Sequence, residues 1–168
     1  ILRDIAALCG NVGGRLRDRF EDLMAVLQAD ALSELAAFAD LPADYSLAEL
    51  VFLPIIRRPG KIFCVGMNYA EKRQEFGETI DAPTLFIRFA DSLVGHDCAV
   101  QKPASSEEFD YEGELAVVIG RSACAVSKEA ALSHVAGYSC FMDGTARDMQ
   151  YSWFTAGKNW PQTGAFGP

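Results

Sequence analysis

The chain has 168 residues, 50% of them hydrophobic and 23% charged, with a net charge of -8. This is enough for one domain with a real core, or one domain plus a small appendage, and it is not the composition of a disordered chain. The acidic balance excludes a basic surface for nucleic acid or anionic membrane, and no apolar run approaches the roughly 20 residues of a membrane span.

In chain order, residues 15–40 come first, with Leu16, Phe20, Leu23, Leu27, Leu32, Leu35 and Phe38 at three- and four-residue spacing. That spacing predicts amphipathic helix, as two helices or one bent one. Ser46 and Glu49 form a capping-box pattern that opens a short helical turn. Pro54 and the stretch Arg57-Arg58-Pro59-Gly60 then break regularity. They divide the chain into a helical lead-in, residues 1–59, and a main domain, residues 60–168.

Beyond that point KIFCVG (61–66) reads as a short buried strand. NYAEKRQEFG (68–77) reads as a helix with Asn68 as its cap and Gly77 as its stop. PTLFIRF (83–89), CAVQK (98–102), ELAVVIG (114–120) and VAGYSCFMD (135–143) read as strands, and SKEAALSHV (127–135) as a helix capped by Ser127. The mixture is α+β. Gly13-Gly14 follows no strand, and neither a G-x-G-x-x-G motif nor a P-loop lysine is present, so a doubly wound nucleotide fold is not expected. The five cysteines are scattered without C-x-x-C pairing, which points to reduced thiols in a cytoplasmic protein.

The stretch FDYEGELAVVIG (109–120) carries acids into a run that reads as core. In a strand Glu112 and Glu114 share a face, roughly 7 Å apart, with Asp110 behind them. Two carboxylates so placed repel each other and lose hydration, so they need an arginine, a lysine or a divalent cation. A solvated strand mouth explains the pattern too. An oxygen-rich site for Mg²⁺, Mn²⁺ or Ca²⁺ would need a third carboxylate from another element. Asp143, at the end of an apolar strand and beside a loop, is the candidate.

Taken together, these segments resemble the fumarylacetoacetate hydrolase superfamily from about Lys61 to Pro168. KIFCVGMNYAEKRQEFG is similar to its K-I-x-C-V-G-x-N-Y-x-x-H-x-x-E opening, and TLFIRFADSLVG to its F-x-K-x-x-S-S-L-x-G segment. DYEGELAVVIGR, AGYSCFMDGTARDMQ and GKNWPQTGAFGP follow in the family's order, as its E-x-E strand, D-x-x-x-R-D-x-Q turn and G-K-S-F lysine segment. The resemblance implies a mixed β-sheet roll or barrel, present here only in its first part, behind a small helical lead-in. It implies that the chain is an excerpt of a longer, homodimeric cytoplasmic enzyme.

By the same resemblance Glu112, Glu114 and Asp143 hold a divalent metal ion, Mg²⁺ first and Mn²⁺ or Ca²⁺ next. Lys158 would help hold the substrate's oxygens, with Gln150, Arg88 and Ser92 as further substrate-binding positions and Arg147 as a structural arginine. The bland alternative for Lys158 is an exposed loop lysine. The family's general-base histidine is replaced by Lys72, three residues before the retained Glu75. Lys72 and Glu75 could act together on a water, Lys72 could anchor a substrate carboxylate, or the two could form only an i,i+3 salt bridge. The implied chemistry is that of 2-oxo and β-diketo acids in aromatic catabolism. Hydrolytic C–C cleavage of an acylpyruvate is the first expectation. A decarboxylase, hydratase or isomerase, or a truncated non-catalytic scaffold, is the alternative.

Overall fold

The computed structural model describes residues 19–37, 46–77, 82–151 and 153–168. The lead-in shows two short helices, α1 (Leu23–Gln28) and α2 (Leu32–Ala36). Residues 15–18 and 38–40 of the expected helical stretch, and Gly13-Gly14, lie outside the described residues. Asp22 caps α1, its carboxylate accepting from the Ala25 amide at 3.0 Å. Phe20, Val26 and Ala31 close a small cluster of their own, while Leu27 turns the other way and packs with Ile56 and Phe166. Leu23 and Met24 pack beside Leu27 on the same cluster, and Asp30 pairs with Arg121 at 3.1 Å. Half of the capping box forms: Glu49 Oε2 accepts from the Ser46 amide and hydroxyl, while the Glu49 amide donates to the Ser46 carbonyl and not to its hydroxyl, at the mouth of a 3-10 turn (Leu47–Glu49).

From residue 60 onward the chain runs β1 (Phe63–Gly66), α3 (Ala70–Phe76), β2 (Thr84–Ile87), β3 (Leu93–Val94), β4 (Phe109–Asp110), β5 (Gly113–Ile119) and α4 (Lys128–Ala131). It continues with β6 (Val135–Asp143), β7 (Thr145–Ala146), α5 (Phe154–Lys158) and β8 (Gly164–Phe166). Among the described residues the strands form three open sheets: β1–β2, β4–β7 and the four-stranded β3–β8–β6–β5, with no closed barrel. Helix α3 stops where expected, at Gly77 with φ 63°, a conformation glycine adopts without strain. Its cap is Tyr69 and not Asn68, and no side chain caps it. Ser127 does cap α4, accepting from the Ala130 amide.

Two expectations change. Residues 98–102 form no strand; Gln101 makes one isolated bond, to the Gln162 carbonyl, and the next residue but one is Pro103, which lacks a ladder donor. The strands read as buried throughout are buried on one face only. Along β5 exposure alternates, with Leu115, Val117 and Ile119 at 62, 48 and 57%, and in β1 Phe63 and Val65 are likewise open. The covered face is the one that carries Ala116 and Val118, on which Leu27, Ile56 and Phe166 pack. An apolar run states that burial is favourable; it does not say that both faces have a cover.

Candidate functional site

The inner face of β5 continues past its first residue to the acids. Gly113 pairs with Met142 and Glu114 with Phe141, and the Asp143 amide donates to the Glu112 carbonyl at 2.8 Å. This register sets Asp143 across from Glu112 and diagonal to Glu114. Residues opposed in an antiparallel pair project to the same side, so all three carboxylates share one face.

Cations arrive from elsewhere in the chain. Lys158, the last residue of α5, is 2% exposed. Its ammonium lies 3.0 Å from Glu112 Oε2, 2.5 Å from Asp143 Oδ2 and 2.8 Å from Thr145 Oγ1. Arg88, just beyond β2 and equally buried, donates to Asp143 Oδ1, the Gly144 carbonyl, Thr163 Oγ1 and Ser92 Oγ. Arg147 reaches Glu112 Oε1 at 2.7 Å and Asp110 Oδ2 at 2.9 Å. Lysine and arginine thus supply the positive charge that the buried carboxylates require. The exposed-loop alternative for Lys158 is excluded by its burial.

The surrounding residues fix this arrangement. Gly164 pairs with Asp143 from β8, and a Cβ there would stand 2.9 Å from Arg88 Nη2, so glycine leaves the passage the guanidinium uses. Asn159 ties the end of α5 to the Arg88 segment: its amide donates to the Ile87 carbonyl at 2.9 Å and its Oδ1 accepts from the Phe89 amide at 2.7 Å. Thr163, fully buried, accepts from Arg88 and donates back toward the Lys158 and Trp160 carbonyls. Asn159, Thr145, Thr163 and Gly164 were missed in the sequence. The only signal was that each neighbours a charged residue or a strand end.

The local electrostatics follow. Burial pushes the Glu114 carboxyl above its ordinary value; the Tyr69 hydroxyl beside it opposes this, and the charges of Glu112 and Asp143 add to it. Burial, and then the Asp143 charge, drive the Cys64 thiol up to about 12. The hydrogen bond from Arg147 holds Asp110 below its usual range.

The other expected site residues fall in three places. Arg88 and Ser92 are buried and their hydrogen bonds point inward. Gln150 packs against α5, where the Gly157 backbone leaves room for its Cγ, and its Nε2 is a buried donor without a partner among the described residues. Lys72 and Glu75 pair with each other at 3.1 Å on exposed α3, with side chains 51 and 65% exposed, and the Lys72 charge also reaches Asp110. Among the described residues no three His, Cys, Asp or Glu side chains, as they stand, converge to enclose a metal ion.

Residues 61–168 match the family described as fumarylacetoacetate (FAA) hydrolase, C-terminal. The chain belongs to the fumarylacetoacetate hydrolase family. Oxaloacetate tautomerase YisK of Bacillus subtilis is 38% identical over 148 residues, covering 80% of this chain and 49% of that protein. A fumarylacetoacetate hydrolase from psychrophilic Exiguobacterium antarcticum superposes with a TM-score of 0.67 at 30% identity, over 89% of this chain and 54% of the other. A 5-carboxymethyl-2-hydroxymuconate delta-isomerase from Mycobacterium smegmatis does so with a TM-score of 0.64 at 31% identity, over 74% and 50%. The chain spans about half the length of the curated family member from Bacillus subtilis. The fold, shared by a hydrolase and an isomerase, leaves the reaction to the site. Among the described residues no helix is long and apolar enough to cross a membrane.

Proposed function

We propose that this chain contributes the acidic face of an enzyme that interconverts keto and enol forms of a 2-oxo acid. The observation that carries the reading is that Glu112, Glu114 and Asp143 share one face, with the buried Lys158 ammonium between Glu112 and Asp143. The tautomerase and isomerase among the similar proteins support the same class.

The donor set suits a hard divalent cation such as Mg²⁺, because all three side chains offer oxygen and two of them already share a positive charge. Glu112, Glu114 and Asp143 would hold it, and when bound it would act as Lewis acid toward the substrate's carboxylate and neighbouring oxygen. Arg88 and Arg147 orient Asp143 and Glu112 by taking their outer oxygens. Lys158 brings a donor and a full positive charge to the place where an enolate oxygen would gather negative charge, a preorganised form of stabilisation. Gln150, packed against the Gly157 backbone beside Lys158, offers a buried amide nitrogen that has no partner among the described residues.

Keto–enol interconversion moves one proton between carbon and the enolate oxygen, so it needs charge stabilisation and a group that takes and returns that proton, but no water activated to attack a carbonyl. Hydrolytic cleavage asks for a base on a water, and the residues available, Glu75 and Lys72, neutralise each other on an exposed helix. We therefore place tautomerisation ahead of hydrolysis. The test follows the loss of enol absorbance of oxaloacetate with Mg²⁺ present, beside cleavage of an acylpyruvate. Faster enol loss that falls at least about a hundredfold in Lys158→Met supports the reading. Acylpyruvate cleavage without enol conversion would overturn it in favour of the hydrolase.

A further inference from the structure

We propose that the cavity walled by Arg73 is a carboxylate-binding pocket beside the acidic face, where Arg73 takes an anionic group that the acids themselves would repel. The inference rests on the reading of that face as the place where a 2-oxo acid is converted. The cavity has a volume of 220 Å³ and is lined by Val65, Met67, Asn68, Ala82 and Pro83 together with Arg73. That is below the roughly 300–1,000 Å³ of pockets for drug-sized ligands, so it suits a short acid and not a nucleotide. Its walls are mostly apolar, and Asn68 and Arg73 are the polar side chains that orient a guest.

Arg73 is half-buried near the middle of α3, and among the described residues its guanidinium enters no ion pair and no side-chain hydrogen bond. Its helix neighbours leave its charge available. Glu75 is paired with Lys72 at 3.1 Å, and Glu71 and Glu75 are each two positions from Arg73, off its face of the helix. Arg88 and Arg147, by contrast, are both committed to the acids. Met67, in the turn between β1 and α3, has φ 54°, a left-handed backbone that non-glycine residues rarely take and that gathers at binding sites. That turn brings Asn68 onto the same cavity as Arg73. The cavity adjoins the acids. Tyr69, whose carbonyl accepts from the Arg73 amide at 3.1 Å, has its hydroxyl beside Glu114. Gly66, also on the cavity wall, would put a Cβ 3.7 Å from the Phe86 ring, and that ring lies 5.1 Å from Lys158 Nζ. A carboxylate in the cavity is therefore met by an uncommitted guanidinium, whose planar fork of donors matches its two oxygens. Two sources share this chemistry: the far end of a dicarboxylic 2-oxo acid held at Lys158, or a separate small carboxylic acid.

The test compares the unmodified protein with Arg73→Gln and Arg73→Lys, using succinate as an unreactive probe and oxaloacetate and 2-oxobutanoate as substrates. Calorimetry should show succinate bound by the unmodified protein and about tenfold or more weakly by Arg73→Gln, as for loss of a hydrogen bond to a charged group. Arg73→Lys should restore part of the binding, because the charge returns without the fork. With Mg²⁺ present, Arg73→Gln should lower kcat/KM for oxaloacetate relative to 2-oxobutanoate by a similar factor, through KM, because only oxaloacetate carries a second carboxylate. Both results together support the pocket and assign it to the far end of the substrate. Weaker succinate binding with an unchanged substrate ratio supports the pocket and assigns it to a separate acid. Succinate binding that is absent from the unmodified protein, or equal in Arg73→Gln, would overturn the pocket. Enol conversion absent from all three proteins, while succinate binding still depends on Arg73, would overturn the tautomerase reading and leave the pocket standing.

Discussion

Asp143 stands across the β5–β6 ladder from Glu112, and one buried ammonium, that of Lys158, bridges the two at 2.5 and 3.0 Å. Neither acid is isolated in this arrangement. Asp143 has a guanidinium on its other oxygen, and Glu112 has another, so each carboxylate is held from two sides. The stability of the buried face therefore depends on complete pairing, and removing any one member leaves a charge stranded.

Arg88→Met should show this most clearly. It removes the partner of Asp143 Oδ1 and empties bonds to the Gly144 carbonyl, Thr163 and Ser92. A loss of about 3–5 kcal/mol is expected, the range for breaking a buried pair. Arg88→Lys should recover only part of it, because an ammonium lacks the planar fork that spans these four acceptors. Denaturant unfolding of both variants measures the difference; equal midpoints for Met and wild type would remove Arg88 from the support of the site.

Gly164→Ala tests the passage for the guanidinium. The added Cβ would meet Arg88 Nη2 and Cζ at 2.9 and 3.1 Å. Overpacking of this kind costs about 1–3 kcal/mol and should tilt Arg88 away from Asp143. Activity should fall with stability, and a variant as stable and active as wild type would show that the guanidinium can give way.

Cys64 should be the slow thiol. With its pKa pushed up to about 12, roughly one molecule in ten thousand is thiolate at pH 8, whereas Cys124 and Cys140 are exposed to the reagent. Iodoacetamide followed by peptide mass mapping should find Cys124 and Cys140 modified first. The folded chain holds the Cys64 proton more tightly than the unfolded one does. Its contribution to stability is present below the ordinary thiol pKa and is lost as pH climbs from there toward 12.

The Lys72–Glu75 pair separates the two reactions. Lys72→Met should shift stability by less than about 1 kcal/mol, as for an exposed i,i+3 pair. Under the tautomerase reading Glu75→Gln leaves enol conversion nearly unchanged. A large loss in that assay would show that α3 carries a catalytic group after all.

Much of this was legible locally. The spacing of Glu112 and Glu114 placed them on one side of a strand, because side chains alternate along an extended backbone whatever lies around it. The β6 boundaries, Val135–Asp143, coincide with the apolar run VAGYSCFMD, and Gly77 ends α3 because it alone tolerates the left-handed turn there. Those are properties of a few consecutive residues and their torsions.

Three decisions belong to the tertiary structure. The pairing of Glu112 with Asp143 is a register between segments 31 residues apart, and a shift by one residue would send Asp143 to the opposite face. The occupant of the space between them is Lys158, whose placement depends on how α5 and the Asn159 bridge dock against the Arg88 segment. The exposure of Leu115, Val117 and Ile119 depends on what packs over the outer face of β5, which their own hydrophobicity cannot specify. Local sequence therefore determined which residues could face inward together, and long-range packing determined which charges they met there, since ion pairing depends on distance through space and not along the chain.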